Sequence, residues 1–130
     1  MRYYIALVHK DEGSSFGVSF PDVPGVYSAA DEMAELVPNA AEALALYAED
    51  TALPAPRALD DVRQDPSVAS ELAQGAFLLA VPFIENDAKI IRINVSMESG
   101  MVKAIDKAAQ ARNLTRSAFL AQAARHEIER

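Results

Sequence analysis

The chain has 130 residues, 51% of them hydrophobic, no cysteine and a net charge of −7 at pH 7. That length allows one ordinary domain or two small ones, and that hydrophobic share excludes a disordered chain. The lack of cysteine excludes a disulfide scaffold, a thiolate metal site and a cysteine nucleophile. The longest apolar runs fall well short of the roughly 20 residues of a membrane span. Met1-Arg2-Tyr3-Tyr4-Ile5 reads directly into a strand without a signal-peptide cleavage site. The expectation is a cytoplasmic protein with no membrane segment.

In chain order, Tyr3 to His9 is β-rich and mostly apolar, a buried strand. Lys10 to Ser15 is a turn by composition. Phe16-Gly17-Val18-Ser19-Phe20 is a second strand, with Phe16, Val18 and Phe20 facing a core. Pro21-Asp22-Val23-Pro24-Gly25 is a stiff turn, and Val26 to Ala29 is a short third strand. From Asp31 to Asp50, apolar residues at Met33, Leu36, Val37, Ala40, Ala43, Leu44 and Tyr47 recur at helical spacing, with Asp31 as the expected cap. Pro38 forces either a break near Val37 or a helix start at Pro38, where proline is favoured. Leu59 to Arg63 and Ser67 to Leu72 read as short helical turns. Ala76 to Ile84 is a further strand, apolar on both faces, in which Pro82 lacks a donor. The order β-β-β-α-β predicts a small α+β layer, a three- or four-stranded sheet with a helix across one face.

After a short polar linker at 85–88 the pattern changes. Lys89 to Ser96 alternates, with Ile91, Ile93 and Val95 on one side and Arg92, Asn94 and Ser96 on the other. Two helical segments follow, Ser99 to Arg112 and Thr115 to about His126. One strand and two helices make too small a core to stand alone. A second copy would complete it, as an antiparallel ribbon whose polar face fits the major groove of DNA. Asn113 suits a left-handed residue between the helices, and Thr115 suits the cap of the second. The amides of that helix start, beside Arg116 and Ser117, form a phosphate site. Met101, Val102, Ile105, Ala108 and Ala109 make one helix stripe. Leu114, Phe119, Leu120, Ala123, Ala124 and Ile128 make another, and together they would form an intertwined dimer core. Residues 89–130 hold eight basic and four acidic residues, and residues 1–88 hold four basic and fifteen acidic. The basic tail suits phosphate, and the acidic body suits a basic protein surface.

No catalytic constellation is expected. His9 and His126 are isolated in sequence, and no clustered metal ligands, phosphate loop or serine elbow occur. Asp11, Glu12, Asp22 and Asp31 read as solvated loop acids. The strand Tyr3 to Val8 offers no carboxylate to hold two metal ions. No catalytic residue, metal or cofactor is assigned.

Two resemblances organise these readings. Arg92 to Glu98, a helix, and Arg112 to Leu120 resemble the ribbon-helix-helix DNA-binding family. The resemblance implies that Arg92, Asn94 and Ser96 read bases, and that the start of the second helix, with Thr115, Arg116 and Ser117, holds the DNA backbone. The sequence departs from that pattern in having Glu98-Ser99-Gly100 where a proline often begins the first helix. Ser96 is also a short reader. Tyr3 to Val8, Phe16 to Val26 and Ala40 to Leu44 resemble the HicB antitoxin family. This implies a partly degraded RNase H-like domain at 1–84, without activity, that blocks HicA, a small basic ribonuclease toxin. It also implies a dimeric ribbon-helix-helix domain at 89–130 that represses its own operon. Asp31, Glu32, Glu35, Glu42, Glu49 and Asp50 are toxin-contact candidates by charge. The expected partners are a HicA-like toxin, operator DNA and a second copy of the chain, with pairing of dimers into a tetramer. The alternative is a ribbon-helix-helix regulator whose first domain senses a small molecule in a defined pocket. A third reading, an active RNase H-type nuclease, lacks its carboxylates.

Overall fold

Strand β1 (Arg2–Lys10) is buried continuously from Tyr4 to Val8. Such a strand must lie inside its sheet with both faces covered, and this fixes the layout around it. In the computed structural model, which describes residues 1–85 and 89–130, β1 pairs antiparallel with β2 (Phe16–Ser19) on one side. On the other it pairs antiparallel with β4 (Phe77–Phe83). Strand β3 (Tyr27–Ala30) pairs antiparallel with β2, giving a four-stranded sheet in the order β3-β2-β1-β4. Five α-helices are present among the described residues.

Alternation along β1 sends its side chains into two cores. Tyr4, Ala6 and Val8 meet Val18, Phe20, Val81 and Phe83 under helix α1 (Leu36–Asp50), which contributes Leu36, Ala40, Ala41 and Leu44. Ile5 and Leu7 meet Val62 and Val68, from α2 (Leu59–Gln64) and α3 (Pro66–Ala73), on the opposite face. These are full helices rather than turns, and they cover a face that the sequence reading leaves open. Their apolar residues are too sparse for a helical period, and burial on the sheet supplies what periodicity does not show. Asp65 caps α3 by accepting the Ser67 N–H at 3.1 Å, with Pro66 in the first turn.

Pro38 falls in the first turn of α1, where its missing N–H has no intrahelical partner to lose. The helix therefore starts at Leu36 and runs through Pro38, neither breaking near Val37 nor starting at Pro38, and a single 3-10 turn over Met33–Glu35 leads into it. Asp31 does not cap it. Its carboxylate accepts the Ser15 hydroxyl at 2.6 Å, while the Glu35 carboxylate accepts the Glu32 N–H at 3.0 Å. Strand β4 lies at a sheet edge, where Pro82 is tolerated.

Two contacts fasten the loops. The Tyr4 hydroxyl donates to the Pro54 carbonyl at 2.6 Å, and burial pushes its pKa up. Asp22, expected in solvent, has only 7% of its side chain exposed and is held by the Arg57 guanidinium and by the Arg57 N–H. Gly25, at φ 98°, makes the turn between β2 and β3.

The chain divides into two compact units, Met1–Asn86 with Glu129–Arg130, and Asp87–Ile128. Of the expected linker, residues 86–88 lie outside the described residues. In the second unit, α4 (Ser99–Ala111) and α5 (Arg116–Glu129) are joined by a tight turn. Asn113 has φ 57°, the Leu114 N–H donates to the Ala109 carbonyl at 2.8 Å, and the Asn113 N–H donates to the Gln110 carbonyl at 3.1 Å. This is a Schellman ending, and it places Thr115 at the start of α5.

Candidate functional site

Residues 89–98 pair with no other strand among the described residues. A strand is defined by its neighbour, so an alternating pattern without one stays unassigned. Every residue from Lys89 to Gly100 is exposed, on both faces of the alternation. Arg92, Asn94 and Ser96 are exposed with the rest. Ile91, Ile93 and Val95 are also 70%, 71% and 62% exposed, and Met97 and Met101 extend this apolar surface. Among the described residues of the second unit, only Ile105 and Ala109 are buried hydrophobics. Of the first expected stripe, Met101 lies outside; of the second, Leu114, Phe119 and Leu120 are half-buried, while Ala123, Ala124 and Ile128 are exposed.

The start of α5 is built as the residues dictate. The Thr115 hydroxyl oxygen accepts the Ala118 N–H at 3.1 Å, the N-cap bond expected of it. Ser117 is exposed beside it. Arg116 is already engaged. Its guanidinium forks onto the Asp106 carboxylate of α4, at 2.8 Å from Nε and 2.7 Å from the terminal nitrogen. Hydrogen bonding to Arg116 holds the Asp106 carboxyl below its ordinary pKa, and the same bond raises that of Arg116. Sequence reasoning missed this pair, because the two residues stand ten positions apart and are brought together only by the turn at Asn113. The Arg112 guanidinium lies 5.8 Å from the Phe119 ring centre, a second tie between the helices.

The first unit presents the opposite charge. Between Lys10 and Arg57 there are nine acidic residues and no basic one. Glu35, Glu42 and Glu49 recur every seven residues across the start and length of α1, so they lie near one face of it, and all three are exposed. Leu46 is 58% exposed on the same helix and Met33 is 63% exposed just before it. Glu32 and Asp50 are exposed as well; Asp31 is also exposed but bonded to Ser15. Among the described residues no three His, Asp or Glu side chains converge into a metal-binding group. No described helix is long and apolar enough to cross a membrane.

The family model of HicB-like antitoxins of bacterial toxin–antitoxin systems matches residues 4–124. The chain belongs to this family. A solved antitoxin HicB from Burkholderia pseudomallei is 32% identical, with TM-score 0.58, over 95% of this chain and 96% of that one. Antitoxin HicB3 is 29% identical, with TM-score 0.53, over 97% of each chain. A chain of the HicA3–HicB3 toxin–antitoxin complex is 27% identical, with TM-score 0.53, over 64% of this chain and 99% of that one. None of the curated proteins compared with the chain matches it. The HicB-like family match runs through both units, so the four-stranded antiparallel sheet and the α4–α5 pair belong to one inherited architecture.

Proposed function

We propose that this HicB-like chain is a two-module antitoxin. Its first unit binds and occludes a small basic ribonuclease toxin of the HicA type, and its second unit dimerises and binds the operator of its own operon. The observation that carries this reading is the family match across residues 4–124, which spans both modules. A toxin–antitoxin complex among the related structures supports a toxin partner.

For the toxin, the exposed face of α1 is the favoured surface. Glu32, Glu35, Glu42, Glu49 and Asp50 surround the exposed Met33 and Leu46, with Asp31 alongside. Glu49 and Asp50 stand at the negative end of the helix, where no basic residue offsets them and a carboxylate costs about 0.3–1 kcal/mol. A cationic partner relieves that cost. The first unit acts by binding, as an RNase H-like layer without hydrolytic chemistry. The chain works in the cytoplasm, where toxin and operator both are.

For DNA, a second copy covers Ile91, Ile93 and Val95 by pairing residues 89–98 into an antiparallel ribbon. Arg92, Asn94 and Ser96 then face the major groove, and the Thr115–Ser117 helix start meets a phosphate. Arg116, forked onto Asp106, serves there chiefly to fix α5 against α4. Two dimers joined through their first units make a tetramer.

The test is co-purification with the product of the neighbouring gene. A small basic protein is expected to bind the full chain and also a truncation ending at Glu85, while only the full chain binds operator DNA. Failure of any such protein to bind, with DNA binding that depends on a small molecule, overturns the antitoxin reading.

A further inference from the structure

Ile90 is 95% exposed, the most exposed large hydrophobic side chain among the described residues. It stands two residues before Arg92. In an extended segment it therefore shares a face with Arg92, Asn94 and Ser96, not with Ile91, Ile93 and Val95. A second copy that covers the odd-numbered row leaves Ile90 outside the dimer core. In that arrangement the second copy that covers the other apolar residues leaves Ile90 on the outward, polar face.

We propose that Ile90 is a fourth reading residue, whose side chain lies against the C5-methyl group of a thymine in the major groove. The proposal rests on the DNA-binding reading above and adds to it a determinant with different chemistry. Residues two apart along a strand are separated by about 6.8 Å, the rise of about two base pairs. Ile90 accordingly lies outboard of the base that Arg92 contacts. A branched aliphatic side chain neither donates nor accepts a hydrogen bond, and the thymine methyl is the apolar group that base edges display in that groove. Against a G·C pair it would leave polar edge atoms unpartnered. The two-fold axis of the ribbon sets two copies of Ile90 at its opposite ends, so the preference appears as a symmetric pair of thymines flanking the positions read by hydrogen bonds.

The experiment uses the full-length protein and an operator duplex in which thymines are replaced by deoxyuridine, one symmetric pair at a time. For one outer pair, the wild-type protein is expected to lose about fourfold in affinity for each methyl removed, the worth of one buried methyl group. Ile90→Ala should bind wild-type operator more weakly and be indifferent to the replacement, while Ile90→Val should keep the sensitivity. Unchanged oligomeric state and salt dependence in both variants show that the ribbon and its phosphate contacts persist. Indifference of the wild-type protein at every outer thymine, with Arg92→Ala still losing the operator, overturns the role of Ile90 and leaves the DNA reading standing. Equal sensitivity in Ile90→Ala overturns it too. If the wild-type chain binds no DNA, the DNA reading fails and takes this proposal with it.

Discussion

Strand β1 and the segment 89–98 are both rich in branched apolar residues and end in opposite states. In β1, Tyr4, Ala6 and Val8 disappear under α1 while Ile5 and Leu7 disappear under α2 and α3. In 89–98, Ile91, Ile93 and Val95 are all more than 60% exposed. The difference lies partly in the pattern, apolar on both faces of β1 and polar on one face of 89–96, and partly in what the chain supplies around each. The first unit brings two strands and three helices to β1. Among its described residues the second supplies two helices and no strand that pairs with 89–98. The first unit is therefore closed by its own chain, while the second leaves the apolar row of 89–98 uncovered among the described residues.

The largest expected effect breaks the finished side. Leu44 is fully buried against the sheet, and Leu44→Ala should cost about 2–5 kcal/mol, seen as a lower unfolding midpoint at every protein concentration. Ile93→Ser should do the opposite. The first unit should melt unchanged, while analytical ultracentrifugation shows loss of the dimer and operator binding disappears. A concentration-independent loss of stability in Ile93→Ser would mean that the segment is covered by its own chain.

Arg92→Ala and Asn94→Ala sharpen the comparison at the level of function. Each should cost about 1–3 kcal/mol of specific DNA binding and leave toxin neutralisation intact. Loss of neutralisation in either variant would show that the two units do not act as separate modules. Thr115→Ala is smaller. Loss of the cap onto Ala118 should cost about 1 kcal/mol in the stability of α5, measured by circular dichroism of the full chain. The smallest effect is in pH. The folded Asp106 carboxyl has a depressed pKa, so the Arg116 contact stabilises above the ordinary aspartate pKa and is lost as pH falls through the folded value. Acid should therefore loosen the second unit slightly, and Asp106→Asn should remove that part of the pH dependence.

Much of the first unit's fold follows from local pattern. The β-rich apolar run of Tyr3 to His9, the alternation of Phe16 to Phe20, the Pro-Gly turn before Val26 and the period of Leu36, Ala40 and Leu44 each specify an element from neighbours in sequence. In the second unit, the left-handed Asn113 and the Thr115 cap were legible for the same reason. They are backbone problems that one residue type solves. The alternation of 89–96 and the acidic character of residues 1–88 were legible too, because alternation and charge need no partner to be counted.

What the sequence alone left open are the contacts made across distance. Val62 and Val68 lie in stretches that read only as helical turns with no place in a core, and they become core because Ile5 and Leu7 lie opposite them. Asp22 looked like a solvated loop acid until the fold carried Arg57 to it. Arg116 looked available until the turn at Asn113 laid α5 beside α4 and gave it Asp106. The segment 89–98 is the converse case. Its pattern was plain from the start, and the tertiary structure showed that a single chain, among its described residues, does not supply the neighbour that the pattern demands. Local propensity is written in consecutive residues, whereas burial and ion pairing depend on which distant residues the completed fold brings into contact.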